Sequence, residues 1–329
     1  MNIALNFLNM NNSRCKKIYS GIGGQAVIEG IMMKNKNEYA VAVRKSNGEI
    51  VVKKDNYIML QERFKILSLP FIRGIFSMVD SLILGSKTLE YSASFFDDEE
   101  TEPESKIDKW LNEHLNEKTF GIVMGIITVI SVIFALVIFA ALPAGIGTLF
   151  KKLTHTDNNF VVAFIEGITR IIIFILYIKL ISRMDEIRRT FEYHGSEHKC
   201  INCIENGWDL TVPNVMRASK EHKRCGTSFL VYVMVISIFL FMFINPDTML
   251  LKFLSRIILI PVVAGISYEV LRLMGRFDNA LVNMISRPGM WMQGLTTREP
   301  DEKEVEVAIK AVEEVFDWRK FKKDNFSES

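Results

Sequence analysis

Phe120 to Leu142 is an unbroken apolar run of about 23 residues with no charged side chain. Backbone N–H and C=O groups cannot stay unbonded in hydrocarbon, so a run of this length predicts a membrane-spanning helix. Pro143 and Gly145 are expected to end it. Three more runs follow. Phe160 to Ser182 carries Glu166 and Arg170, spaced i, i+4 so that they can neutralise each other. Phe229 to Ile244 reaches membrane length once Gly226, Thr227 and Ser228 are added, and Asn245 to Thr248 is expected to be a tight turn. Met249 to Tyr268 has Lys252 and Arg256 near its start, Pro261 inside it and Glu269 just beyond. The 49% hydrophobic content and mean hydropathy of +0.18 are high for a soluble chain of 329 residues, and these runs account for the excess.

Basic residues orient the spans. The segment between the second and third carries Arg183, Arg188, Arg189, Lys199, Arg217, Lys220, Lys223 and Arg224, against Lys151, Lys152 and Lys252 on the other side. The positive-inside rule places the 183–226 loop in the cytosol, and four spans then put both termini there too. Residues 1–20 have no apolar core ahead of a small-residue cleavage site, so no secretory signal is expected, and they read as loosely ordered. A net charge of +2 points to no nucleic-acid partner, and four cysteines are too few for a disulfide framework.

The remaining segments are polar or mixed. Gly21, Gly23 and Gly24 mark a turn or a close backbone approach. Glu38–Arg44 and Glu49–Lys54 flank Ser46-Asn47-Gly48, a strong hairpin signal, so 21–60 reads as a β subdomain too small to stand alone. Residues 61–95 read as an amphipathic helix from Arg63 to Ser92, interfacial or re-entrant because Arg73 and Asp80 interrupt its apolar face. Residues 96–118 are an acidic linker, and 119–270 are the membrane domain with its loop. In the 271–329 tail, Arg287-Pro288-Gly289 reads as a turn. Thr296–Asp301 opens a surface helix expected to pack on the cytosolic domain through Val305, Ala308, Ile309, Val312, Val315 and Phe316.

Chemistry concentrates at 191–229, which holds three of the five histidines and three of the four cysteines. His194 and His198, spaced i, i+4, project from one face of a helix, and Glu197 precedes the second histidine. His-x-x-Glu-His is the inverted zincin pattern, with two metal ligands and a general base. Glu205, His222, Cys225 and Glu269 are candidate third ligands, and Gly195 weakens the helix. A rival site is Cys200-x-x-Cys203 with His222-x-x-Cys225, a closed structural zinc that would catalyse nothing. A third reading has no metal: the histidines beside Tyr193 and Lys199 bind lipid phosphates or pack against the juxtamembrane surface, and the loop's lysines and arginines suit anionic headgroups.

Four segments then resemble the bacterial YqhQ family, membrane proteins defined by a domain of unknown function: residues 23–33, 193–199, 224–230 and 295–301. The resemblance implies an inner-membrane protein of a family described as predicted metal-dependent enzymes, with His194, Glu197, His198, Glu205, His222 and Cys225 fitting its pattern. The family does not require a cysteine at Cys200, and Lys223 replaces a proline usual in members, which favours the histidine site over the cysteine site.

The expectation is therefore a mainly α, polytopic membrane protein with four spans, an amphipathic helix, a cytosolic β-hairpin subdomain and a C-terminal helix. Its function reads as a metal-dependent hydrolase, zinc being the expected ion and Glu197 the base. The alternative is a scaffold or assembly factor, contacting membrane lipid and a membrane-protein partner. A transporter rests only on Glu166 and Arg170.

Overall fold

The structure is a computed structural model that describes residues 17–96, 126–127, 129–131, 133–156, 158–244, 248–277 and 279–326. The expected N-terminal segment up to residue 16, the acidic run from Asp97, the start of the first span and the Asn245–Asp247 turn lie outside the described residues.

Among the described residues four helices are long and apolar enough to cross a membrane: Val129–Thr154 (α3), Asn159–Ile181 (α4), Gly226–Phe243 (α7) and a stretch of Met249–Arg276 (α8) from Phe253 onward. Two boundaries differ from expectation. The fourth helix continues to Arg276, and the first does not stop at Pro143. A π-helical turn at Val137–Ala141 precedes that proline. Proline cannot bond the carbonyl four residues back, which is that of Phe139. Arg170 supplies the missing donor, its Nε lying 3.1 Å from that oxygen, so the helix runs on to Thr154. The charged pair foreseen in the second span also gains a member: Glu166, 1% exposed, is ion-paired with Arg256 of α8. Gly147 makes room for it, because a Cβ there would lie 2.4 Å from Glu166 Cγ.

The sheet is a four-stranded antiparallel meander, β1 (Gly23–Val27), β2 (Gly30–Asn35), β3 (Glu38–Arg44) and β4 (Ile50–Asn56). The foreseen hairpin is β3–β4, closed by a turn with Gly48 at φ +87°. Gly23 and Gly24 are strand residues rather than a turn, though Gly24 does permit a close approach. Strand alternation splits the apolar residues between two faces. Ile31, Met33, Ala40 and Ala42 face α5 (Asp185–Glu205) and α10 (Glu302–Val315). Met32, Tyr39, Val41 and Val43 meet Leu84 of α2 (Ile72–Ala93). The sheet is thus covered on both sides.

Three further expectations change. The 183–226 loop is mostly helix: α5 takes its first half, and α6 (Val212–Arg217) follows. The helix foreseen from Arg63 breaks into α1 (Leu60–Arg63), a 3-10 turn at Lys65–Ser68, and α2. Its stranded charges find protein partners, Asp80 accepting from Tyr57 Oη at 2.8 Å and Arg73 bonding Glu269 at 2.7 and 2.5 Å. Arg287-Pro288-Gly289 lies inside α9 (Ala280–Thr296). The helix closes on α7 there because a Cβ at Gly289 would sit 2.8 Å from Ser228 Oγ. As the periodicity predicts, α10 packs one apolar face inward and leaves Lys303, Glu306, Lys310, Glu313 and Glu314 exposed. Val305, Val307, Ala308, Ala311 and Val312 are fully buried between the sheet and α5. Asp301 caps it, with Glu304 completing the capping box. A last helix, α11 (Trp318–Phe326), packs its Trp318 and Phe321 onto the same core.

Candidate metal centre

The helix α5 carries both histidines one turn apart, as the spacing requires. Gly195 does not break it. A Cβ there would lie 2.0 Å from the Arg298 carbonyl, so glycine is what lets the extended 297–301 segment lie against the helix. That approach places the Thr296 carbonyl 2.9 Å from His194 Nδ1. The Lys220 carbonyl sits 2.6 Å from His198 Nδ1. A carbonyl oxygen only accepts, so both Nδ1 atoms carry a proton, and in the neutral imidazole it is Nε2 that keeps a lone pair.

Cys225 completes the group. It caps the N-terminus of α7, where its sulfur accepts the Thr227 N–H at 3.4 Å, an end of a helix that favours negative charge. Its Sγ is 3.2 Å from His194 Nε2. One ligand atom each from His194, His198 and Cys225 lies within 4.8 Å of the others. The group opens on a cavity of about 830 Å³ that Glu197 and His222 also line.

Glu197 is buried beside the group, and burial pushes its carboxyl above the usual range, with His194 and the Gly24 amide pulling the other way. Gly24 must be glycine for that contact: a Cβ would meet Met32 O at 2.6 Å and Glu197 Cδ at 3.1 Å.

The other sequence candidates separate from this group. Glu205 accepts from Arg224, from the Ser20 amide at 3.1 Å and from the Ser20 hydroxyl at 3.0 Å, and lies 3.4 Å from His222 Nε2. His222, Arg224 and the Ser20 amide together outweigh the burial of this carboxyl and hold it down at about 2. His222 is pushed down to about 4 by burial, so it is neutral near pH 7 and braces Glu205 instead of joining His194 and His198. Glu269 is engaged with Arg73.

The cysteine site does not assemble. Cys200 and Cys203 are 0% exposed in the apolar core with Ile204 and Val215, while Cys225 faces the histidines. Burial raises both thiols, Cys203 to about 12, so neither offers a ready thiolate. One basic side chain of the 183–226 segment, Lys199, is turned inward. That side chain is buried, donates to the Met216 and Ala218 carbonyls at 2.9 and 3.0 Å, and pairs with Glu299 at 2.8 Å.

Sequence reasoning passed over the supporting groups. Gln293, fully buried, accepts the His222 N–H at 2.9 Å and donates to the His222 carbonyl at 2.7 Å and Ser228 Oγ at 2.8 Å, fixing the segment that leads to Cys225. A glutamine in an apolar helix was the available signal. The Thr296 and Lys220 carbonyls had none, because every residue has a carbonyl.

Residues 69–318 match a family described as "Protein of unknown function (DUF1385)". The chain is 33% identical over 310 residues to the "Uncharacterized protein YqhQ" of Bacillus subtilis (strain 168), an alignment covering 91% of this chain and 93% of that one. No solved structure matches it.

Proposed function

The chain belongs to the DUF1385 family, and from that premise we propose that it is a membrane-bound, metal-dependent hydrolase whose centre is His194, His198 and Cys225. One observation carries the reading. Two imidazoles with their Nδ1 protons tied to backbone carbonyls stand beside one cysteine sulfur, His194 Nε2 lying 3.2 Å from it and one ligand atom of each of the three residues within 4.8 Å of the others, on a cavity of about 830 Å³. Outer-sphere hydrogen bonds of this kind orient histidine ligands in metal sites.

Three protein ligands with a fourth position toward a cavity suit a catalytic ion, and two nitrogens with one sulfur suit zinc. A bound ion would supply Lewis acidity and lower the pKa of a coordinated water. Glu197 lines the same cavity and is the residue placed to accept a proton there, while the Gly24 amide fixes its carboxylate. His222, Glu205 and Gln293 hold the Cys225 segment in place. The basic residues of the 183–226 segment support a cytosolic placement of this centre, with both termini on that side.

Metal analysis of the full-length protein, purified in detergent without chelators, tests the reading. One zinc per chain, kept in Cys200→Ser and lost in His194→Ala, is the expected result. Protein carrying no transition metal overturns it. Glu197→Gln should keep the ion but fail to complement loss of the wild-type gene, and full complementation would remove the general-base role.

A further inference from the structure

Residues 58–72 lead from the sheet into α2 and carry large apolar side chains that stand about half to two-thirds exposed. Phe64 is 59% exposed, Ile66 66%, Leu69 49% and Phe71 55%. Large apolar side chains gathered on one exposed segment mark a contact surface.

The segment's position relative to α8 identifies the contact. Phe71 sits at φ +68°, an uncommon backbone geometry for a bulky residue that turns the chain sharply into α2. Its carbonyl packs on Gly265, where a Cβ would come within 2.7 Å of it. Its amide donates to Glu269 Oε1 at 3.2 Å, and Gly74 packs on Tyr268. Gly265 lies within the apolar stretch of α8 that begins at Phe253, about 6 Å along the helix axis before Glu269, the first charged side chain toward Arg276, at 1.5 Å per residue. Meanwhile the Gly275 carbonyl accepts from Arg224 at 3.2 Å, so that end of α8 already belongs to the sheet-and-helix layer. Phe71 therefore stands at the border between the apolar stretch of α8 and its charged end, the level at which a hydrocarbon core of about 30 Å around α8 would meet the headgroups. Arg63 and Lys65 are long enough to reach headgroups from the same segment.

We propose that residues 58–72 form a lip seated in the bilayer leaflet next to the sheet-and-helix layer, and that the cavity beside it takes its ligand from membrane-embedded amphiphiles. Met59 and Glu62 belong to the lip and line the cavity, as does Leu271 of α8. The cavity thus joins a polar pole at Glu197 and the two histidines to a wall continuous with the membrane-facing surface. The ligand clause rests on the metal-centre reading above; the seating of the lip does not.

The experiment uses the full chain in phosphatidylcholine vesicles, with the environment-sensitive fluorophore NBD on a cysteine introduced as Ile66→Cys or, for comparison, Asn47→Cys in the β3–β4 turn. Doxyl-labelled phospholipid should quench NBD at position 66 several-fold more than aqueous iodide does, with the order reversed at position 47. The same pattern in a His198→Ala background separates the lip from the metal centre. Iodide quenching at 66 equal to that at 47 overturns the proposal. So does quenching by neither agent, as contact with another protein segment would give. For the ligand clause, a phospholipid with a diazirine near its headgroup should crosslink to cavity-lining peptides around Met59 and Leu271, and less so in Leu84→Trp, which fills the cavity wall. Crosslinks confined to the outer faces of the spans overturn that clause and leave the lip standing.

Discussion

Two pairs of potential metal ligands sit on one helix, and α5 treats them oppositely. His194 and His198 face a cavity with their proton-bearing nitrogens held by carbonyls. Cys200 and Cys203, only a few residues on, are sealed in apolar core with raised thiol pKa values. Spacing made both pairs plausible, since i, i+4 and i, i+3 each place two side chains one turn apart. What separates them is which side of α5 the sheet and α10 cover. A ligand set needs lone pairs turned to a common open point, and only the histidine face has one.

The largest effect that would break this contrast is on metal. His198→Ala should remove the bound ion, whereas Cys200→Ser should retain one ion per chain; equal loss in both would erase the distinction. Next comes the approach of the 297–301 segment. Gly195→Ala adds a Cβ 2.0 Å from the Arg298 carbonyl, and the shift displaces the Thr296 carbonyl from His194. Metal affinity, measured by competition with a chromogenic chelator, should fall by about 10- to 100-fold, as for other lost outer-sphere contacts. Unchanged affinity would show that His194 needs no such support.

Cys200→Ser should act on stability alone. A hydroxyl in that apolar pocket costs about 1–3 kcal/mol, seen as a lower thermal midpoint in detergent with metal content intact. The smallest effect concerns pH. Glu304 is raised to about 7 by burial, and its capping-box bond to the Asp301 amide only partly offsets this. An acid whose folded pKa lies above its unfolded value of 4.5 costs stability as pH rises from 4.5 to about 7, because only the unfolded chain ionises freely there. Glu304→Gln keeps a carbonyl acceptor for the Asp301 amide and should flatten this fall by on the order of 1 kcal/mol. Glu205 has the opposite sign. Held at about 2, it stabilises fully above pH 4.5 and loses that contribution toward pH 2. Acid unfolding that is identical in Glu205→Gln would contradict its role as a brace.

The spans, the β3–β4 hairpin and the histidine pair were legible in the chain because each depends on local order: length of apolar run, Asn-Gly between strands, a four-residue interval. The departures all came from contacts distant in sequence. Pro143 fails to end its helix because Arg170 takes the carbonyl it frees. Pro288 and Gly289 stay helical because α9 packs closely on Ser228. Glu205 reads as a ligand from its spacing, yet Arg224, His222 and Ser20 occupy it.

By itself, then, the sequence determined a helical protein with four apolar helices long enough to cross a membrane and the helix carrying His194 and His198, since hydrophobic length and periodicity are properties of the chain alone. Only the tertiary structure decided that Cys225 joins them while Cys200 and Cys203 do not, and that Thr296 and Lys220 set their tautomers. Convergence of ligand atoms is a matter of which surfaces pack together, and no spacing along the chain encodes it.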